Sequence, residues 1–198
     1  MASDPPRDEI MEATYRALCK HGYAAVTMED IAAESEKSKA ALHYHYESKH
    51  DLLVAFLEDL LSSFTAELDA VEGSSATERF RALVGLFLES EEEESDRRFE
   101  TAVLEMKAQG PYDEAFRERL DEFDAALSER FADVFAAGVE SGEFREDLDV
   151  DAAADFVVTV LNGAHTRQVA VERPVEQTRA ALERYLDESV RRTAEVEQ

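Results

Sequence analysis

Apolar residues return every three or four positions along most of the chain, and strand-like alternation is scarce. That period predicts helices. The first covers residues 8–21, with Ile10, Thr14, Ala17, Leu18 and His21 on one face and Gly22 as its stop. After a short connector, Thr27-Met-Glu-Asp30 has the form of a hydroxyl N-cap with an acid three residues on. The helix it opens is short, turns Ile31 and Ala32 inward, and fades by Ser35. Ser38 is the next predicted cap, for a helix over 39–45 anchored by Leu42 and Tyr46. Ser48-Lys-His-Asp51 is a third cap. Its helix carries Leu52, Leu53, Phe56, Leu57, Leu60, Leu61, Phe64 and Leu68, a stripe wide enough to be buried on more than one side.

The same period continues over residues 76–92, 96–109, 113–139, 151–171 and 175–196. Gly110-Pro111, the region around Gly142, and Pro174 separate the later helices. The chain therefore reads as all-α, with about nine helices. Three of them form an N-terminal head over residues 1–50, and the rest form a helical body over 51–198.

Composition agrees with this reading and excludes several classes. A hydrophobic share of 44% suits a globular protein, and seven Gly and four Pro are few. No apolar run approaches the roughly 18 residues of a membrane span. The polar start, MASDPPRDE, does not read as a signal peptide, so the expected location is the cytoplasm. Cys19, the single cysteine, has no partner for an internal disulfide and reads as a small buried residue. The run 89–94 of mostly glutamate reads as a solvated helix end.

Charge changes the picture. The net formal charge is −25, which taken whole opposes binding to nucleic acid. The distribution is uneven. Residues 1–50 hold 6 basic and 9 acidic groups, and residues 51–198 hold 15 and 37. Of five lysines, Lys37, Lys39 and Lys49 fall within fourteen residues, together with His43, His45 and His50. Glu47 is the only acid from residue 37 to 50. The acidic remainder is what a protein working in molar salt needs, where charges are screened over about 3 Å. A halophilic cytoplasm is the expectation, and a chain that kept its fold on transfer to low salt would contradict it.

Two short helices joined by about four residues, after a supporting helix, form a helix-turn-helix pattern. The second helix of such a motif enters the major groove of DNA. Here it offers Lys39, Ala40 and Ala41, then His43, Tyr44 and His45. The two alanines permit close backbone approach. Thr27 and Ser38 offer hydroxyls to phosphate, and Lys37 and Lys49 offer charge. His45 reads equally well as a residue at the edge of the core.

The stretch GYAAVTMEDIAAESEKSKAALHYHYESKHDLL, residues 22–53, resembles the DNA-binding head of the tetracycline-repressor (TetR) family. Thr27, Ile31, Ala32, Ser38, Lys39, Leu42, Tyr46, Ser48, Lys49 and Leu52 match its motif in order. Beyond the head, the passage 142–154 resembles the entry to that family's eighth helix. There are departures. Glu36-Lys37 stands where the family has Gly-Val, which puts Glu36 at a turn position where positive φ costs about 1–2 kcal/mol. His43 stands where the family has Tyr.

The resemblance implies a homodimer on a palindromic double-stranded DNA operator, joined through the last two helices of each subunit, residues 151–171 and 175–196. It also implies a small-molecule effector between the middle helices that tilts the fourth helix and changes the spacing of the heads. Repression released by a small hydrophobic or aromatic effector is the expected activity. Candidate effector residues are Phe87, Phe99, Met106, Tyr112, Phe123, Phe131, Asn162 and His165, and the apolar ones among them also read as plain core. Neither a cofactor nor a metal is expected. No phosphate loop, H-E-x-x-H, Cys-His framework or nucleophile elbow points to an enzyme. The alternative is a helical interaction or sensor protein with weak or lost DNA binding.

Overall fold

In a computed structural model the chain is described over residues 5–35, 39–88 and 94–191. These residues form nine α-helices: α1 (Pro5–Ala25), α2 (Met28–Glu34), α3 (Lys39–His45), α4 (Lys49–Asp69), α5 (Ala76–Leu88), α6 (Glu94–Lys107), α7 (Glu114–Ser141), α8 (Val150–Val171) and α9 (Glu176–Tyr185). The all-α architecture with a helix-turn-helix head is as the sequence predicts. Glu36, and residues 89–93 of the acidic run, lie outside the described residues. Among the described residues no helix is long and apolar enough to cross a membrane.

The helices gather into two compact units, Met1–Phe64 with Glu91–Glu122, and Thr65–Ser90 with Phe123–Gln198. The long helices α4 and α7 contribute to both. In the first unit Ile10, Ala17 and Leu18 of α1, Ile31 of α2, Leu42 of α3, and Leu52, Leu53, Phe56 and Leu57 of α4 form one core with Ala102 and Met106 of α6 and Phe116 of α7. Thr14 joins that face because its hydroxyl donates to the Ile10 carbonyl at 2.8 Å. His21 does not join it. Its exposed ring lies 3.9 Å from Asp30. Cys19 is partly rather than fully buried.

The second unit is built on aromatic packing. Phe80 lies 5.7 Å from both Phe131 and Phe135, and Phe135 lies 6.0 Å from Phe144, all four rings being fully buried. Side chains from far along the chain satisfy both ends of α5. The Glu143 carboxylate accepts from the Ala76 and Thr77 amides at 3.0 and 3.2 Å, and Arg179 donates to the Leu88 carbonyl at 3.2 Å. The last predicted helix, 175–196, is described only to residue 191, its final residues lying outside the described ones, and its α-helical part ends at Tyr185. After Tyr185 it passes into a π-helical turn, Leu186–Val190. There the Arg145 amide takes the Val190 carbonyl at 3.0 Å, and Arg191 bridges to Phe144, so the backbone bonds that would continue a helix are diverted.

Gly138 on α7 marks the tightest approach in this unit. A Cβ there would lie 2.1 Å from the Phe144 ring, whose own amide bonds the Gly138 carbonyl at 2.9 Å. Gly138→Ala is therefore expected to destabilise the protein by about 1–3 kcal/mol through overpacking, read as a lowered denaturant midpoint. An unchanged midpoint would contradict this packing.

Candidate nucleic-acid interface

The head begins with a turn that only glycine adopts freely. Gly22 interrupts α1 at φ 71, ψ 169, so the predicted stop operates and residues 23–25 form a separate turn of helix. Thr27 then caps α2 as expected. Its Oγ1 accepts from the Asp30 amide at 3.2 Å, and the Asp30 carboxylate accepts from the Thr27 amide at 2.9 Å and its hydroxyl at 2.6 Å.

The far end of α2 is tied to α1 by two cations that the sequence pattern did not single out. Arg16 donates to the Glu34 carbonyl at 2.8 Å, and the Lys20 ammonium donates to both Glu34 carboxylate oxygens at 2.7 and 2.8 Å. Nothing in the local sequence signals partners fourteen and eighteen residues apart. At i,i+3 or i,i+4 spacing, Arg16 has Glu12 as a partner and Lys20 has no acid.

Helix α3 is amphipathic in one turn. Leu42 is fully buried, whereas His43, Tyr44 and His45 are exposed, Tyr44 to 86%. The Tyr44 ring meets His45 edge-on at 5.2 Å. Ala41 is partly buried. The backbone of α3 places Lys39 and Ala40 in its first turn, while Lys37 and Ser38 lie outside the described residues. The described part of the set thus shares one short element, with its polar aromatic face turned to solvent.

Lys49 is oriented differently. Its ammonium donates to the Tyr23 and Val26 carbonyls, each at 2.9 Å, and sits 5.2 Å from the Tyr23 ring centroid. Burial pushes its pKa below that of a free lysine, against the opposing charge of Glu105. Beside it the His50 ring bonds Asp113 at 2.7 Å and Asp51 at 3.3 Å and packs against Phe116. Asp113 in turn caps α7 by accepting from the Phe116 amide at 3.2 Å.

Residues 10–56 match the family described as bacterial regulatory proteins, tetR family, and residues 76–191 match the BetI-type transcriptional repressor C-terminal family. The chain belongs to the TetR family. It is a helix-turn-helix, DNA-binding transcriptional repressor of that family. Its structure is similar to a TetR transcription regulator from Haloarcula marismortui, with 36% identity and a TM-score of 0.86 over 93% of this chain and 98% of the other. A regulator from Saccharomonospora viridis in complex with choline has 26% identity and a TM-score of 0.79 over 96% and 100% of the two chains. Among sequence relatives, the repressor KstR2 of Mycolicibacterium smegmatis is 26% identical over 79% of each chain.

The candidate effector residues of this TetR-family chain divide between its units. Phe99 packs on Tyr15 at 4.6 Å and on Phe56 at 6.1 Å, and Met106 is fully buried in the same core. Tyr112, in that unit too, is 88% exposed. In the second unit Phe131 belongs to the aromatic core, and Phe123 is partly buried. Phe87 and His165 meet edge-on at 6.2 Å, and the Asn162 amide donates to Asp124 at 3.1 Å.

The first unit has opposing titrations. Hydrogen bonds hold three carboxyls below their ordinary range: the Thr27 hydroxyl for Asp30, the Ser48 hydroxyl for Asp51, and the Phe116 amide for Asp113. Their stabilisation is complete above about pH 4 and is lost as pH falls through the lowered values. For His50, burial acts downward, but Asp51 and Asp113 outweigh it and the pKa is raised. That contribution is complete below about pH 6.5 and is lost as pH rises through the raised value. His50→Gln is expected to remove the alkaline loss of thermal stability and leave the acid loss in place. An alkaline limb unchanged in the variant would show that this pair carries none of it.

Proposed function

We propose that the chain acts as a homodimer on a palindromic operator, with residues 1–50 as the reading head and 51–198 as the effector-binding and dimerising body. The reading set is Thr27, Lys37, Ser38, Lys39, Ala40, Ala41, His43, Tyr44 and His45; Lys49, which the sequence assigned to it as well, donates to the Tyr23 and Val26 carbonyls instead. The observation that carries this is α3 itself, with Leu42 buried on one side and His43, Tyr44 and His45 exposed on the other. A seven-residue helix held in this way presents polar side chains to the major groove.

The last two helices supply the dimer contact in this reading. On α8, Ala152, Phe156 and Gly163 are exposed, and the Phe156 ring packs at a tilt 4.8 Å from Tyr185 of α9. Paired heads then stand about one DNA turn, 34–36 Å, apart or a multiple of it. The effector is a small hydrophobic or aromatic molecule. Phe87, Phe123, Asn162 and His165 are the polar-edged aromatic group of the second unit that suits such a ligand, and the similar regulator from Saccharomonospora viridis holds choline. The protein works in the cytoplasm, and its −25 charge suits a halophilic one, as does its likeness to the Haloarcula marismortui regulator.

One observation favours a second reading, a helical sensor with weakened DNA binding. Arg16, Lys20 and Lys49 of the head spend their charge on internal partners. Selection from a random duplex pool, with mobility shifts in about 1–2 M KCl and then lower salt, separates the two. The wild type is expected to select a palindrome and bind it as a dimer. Lys39→Ala and His43→Ala are expected to weaken it by about tenfold or more, and Tyr112→Ala to leave it unchanged. Hydrophobic or aromatic compounds added to the complex are expected to release the duplex. A folded protein that selected no sequence at any salt would favour the sensor reading, and a complex that no such compound released would remove the effector assignment.

A further inference from the structure

The turn 22–26 leaves the Tyr23 amide and the Tyr23 and Val26 carbonyls in need of partners, and two charged side chains from distant helices supply them. Glu105 of α6 accepts from the Tyr23 amide at 2.7 Å. Lys49 of α4 donates to the two carbonyls at 2.9 Å each. Acid meets donor and cation meets acceptor, so every one of these bonds is charge-assisted. The Tyr23 ring is covered by the same assembly, with Phe116 of α7 edge-on at 5.9 Å. Gly22 completes the fit. Its φ of 71 suits glycine, and a Cβ there would lie 3.2 Å from the Glu105 carboxylate. The turn leads directly to Thr27, the cap of α2, and α2 leads to α3.

Resting on the DNA-binding reading above, we infer that Glu105 and Lys49 are positioning residues for DNA recognition, clamping the turn 22–26 from α6 and α4 and so fixing where α2 and α3 stand in the first unit. Lys49 occupies a position at which the motif suggests a phosphate contact, but its charge is directed to backbone carbonyls. It therefore contributes to affinity through geometry and not through counterion release. Glu105 lies on α6, outside the reading set. It acts through the Tyr23 amide, a bond that any side chain with a correctly placed carbonyl oxygen can accept.

The test uses the full-length protein and the duplex that the wild type selects, with Glu105→Ala, Glu105→Gln and Lys49→Met. Glu105→Ala is expected to weaken binding by about tenfold or more, and Glu105→Gln, whose amide oxygen still accepts, to restore it. Amide exchange at Tyr23 in the free protein is expected to quicken in Glu105→Ala and to stay slow in Glu105→Gln. Lys49→Met is expected to weaken binding with an unchanged salt slope, whereas a lost phosphate contact lowers that slope by about one. The salt slope of Lys49→Met and the Tyr23 exchange rate in Glu105→Gln decide the matter without Glu105→Ala, should that variant fail to fold. Wild-type affinity in Glu105→Ala, fast Tyr23 exchange in Glu105→Gln, or a reduced slope in Lys49→Met would overturn the clamp. A wild type that selected no duplex would instead overturn the DNA reading on which the clamp rests.

Discussion

The turn between α1 and α2 must reverse the chain within a few residues while its backbone polar groups still find partners. Side chains from α4, α6 and α7 meet that demand. Gly22 supplies the left-handed backbone, Lys49 takes the carbonyls, Glu105 takes the amide, and the Tyr23 ring packs against Phe116. Without those partners the turn would hold unpaired backbone groups at about 1–3 kcal/mol each. With them, α2 starts at a fixed place, its capping box closes, and Leu42 of α3 reaches the core.

In the proposed function, the same arrangement accounts for a DNA-facing surface on a chain of net charge −25. The head does not rely on a broad basic field. Several of its cations are used internally, Arg16 and Lys20 on Glu34 and Lys49 on the turn. Those bonds tie α2 to α1 and α4 to the turn, and in the proposed function recognition is left to a compact set on and beside α3. In strong salt a long-range field is screened within a few ångströms in any case, so short contacts from a rigid helix serve better than diffuse attraction.

Local rules made much of this legible in the sequence. The capping box at Thr27, the stop at Gly22, the inward Leu42 and the breaks between later helices depend on residues within a few positions of one another, and the structure contains each of them. The inward turn of Lys49 was not legible, because its partners are backbone carbonyls 23 and 26 residues away. Glu105 was one acid among 46 and reaches an amide 82 positions earlier. His21 shows the converse limit. It falls on the apolar side by periodicity alone, yet an imidazole at the end of a helix keeps its hydration and lies near Asp30 instead. The π-helical turn after Tyr185 was not legible, because the bond that ties its end comes from Arg145, on a different segment.

The central claim is that the exposed face of α3 meets DNA. Tyr44 and Tyr112 offer a matched comparison, since both are tyrosines of the first unit and are 86% and 88% exposed. A photo-crosslinking benzophenone amino acid placed at either position, in otherwise wild-type protein bound to its selected duplex, measures contact directly. Crosslinking to DNA from position 44 and none from position 112 is the predicted result. Equal crosslinking from both, or from position 112 alone, would contradict the account.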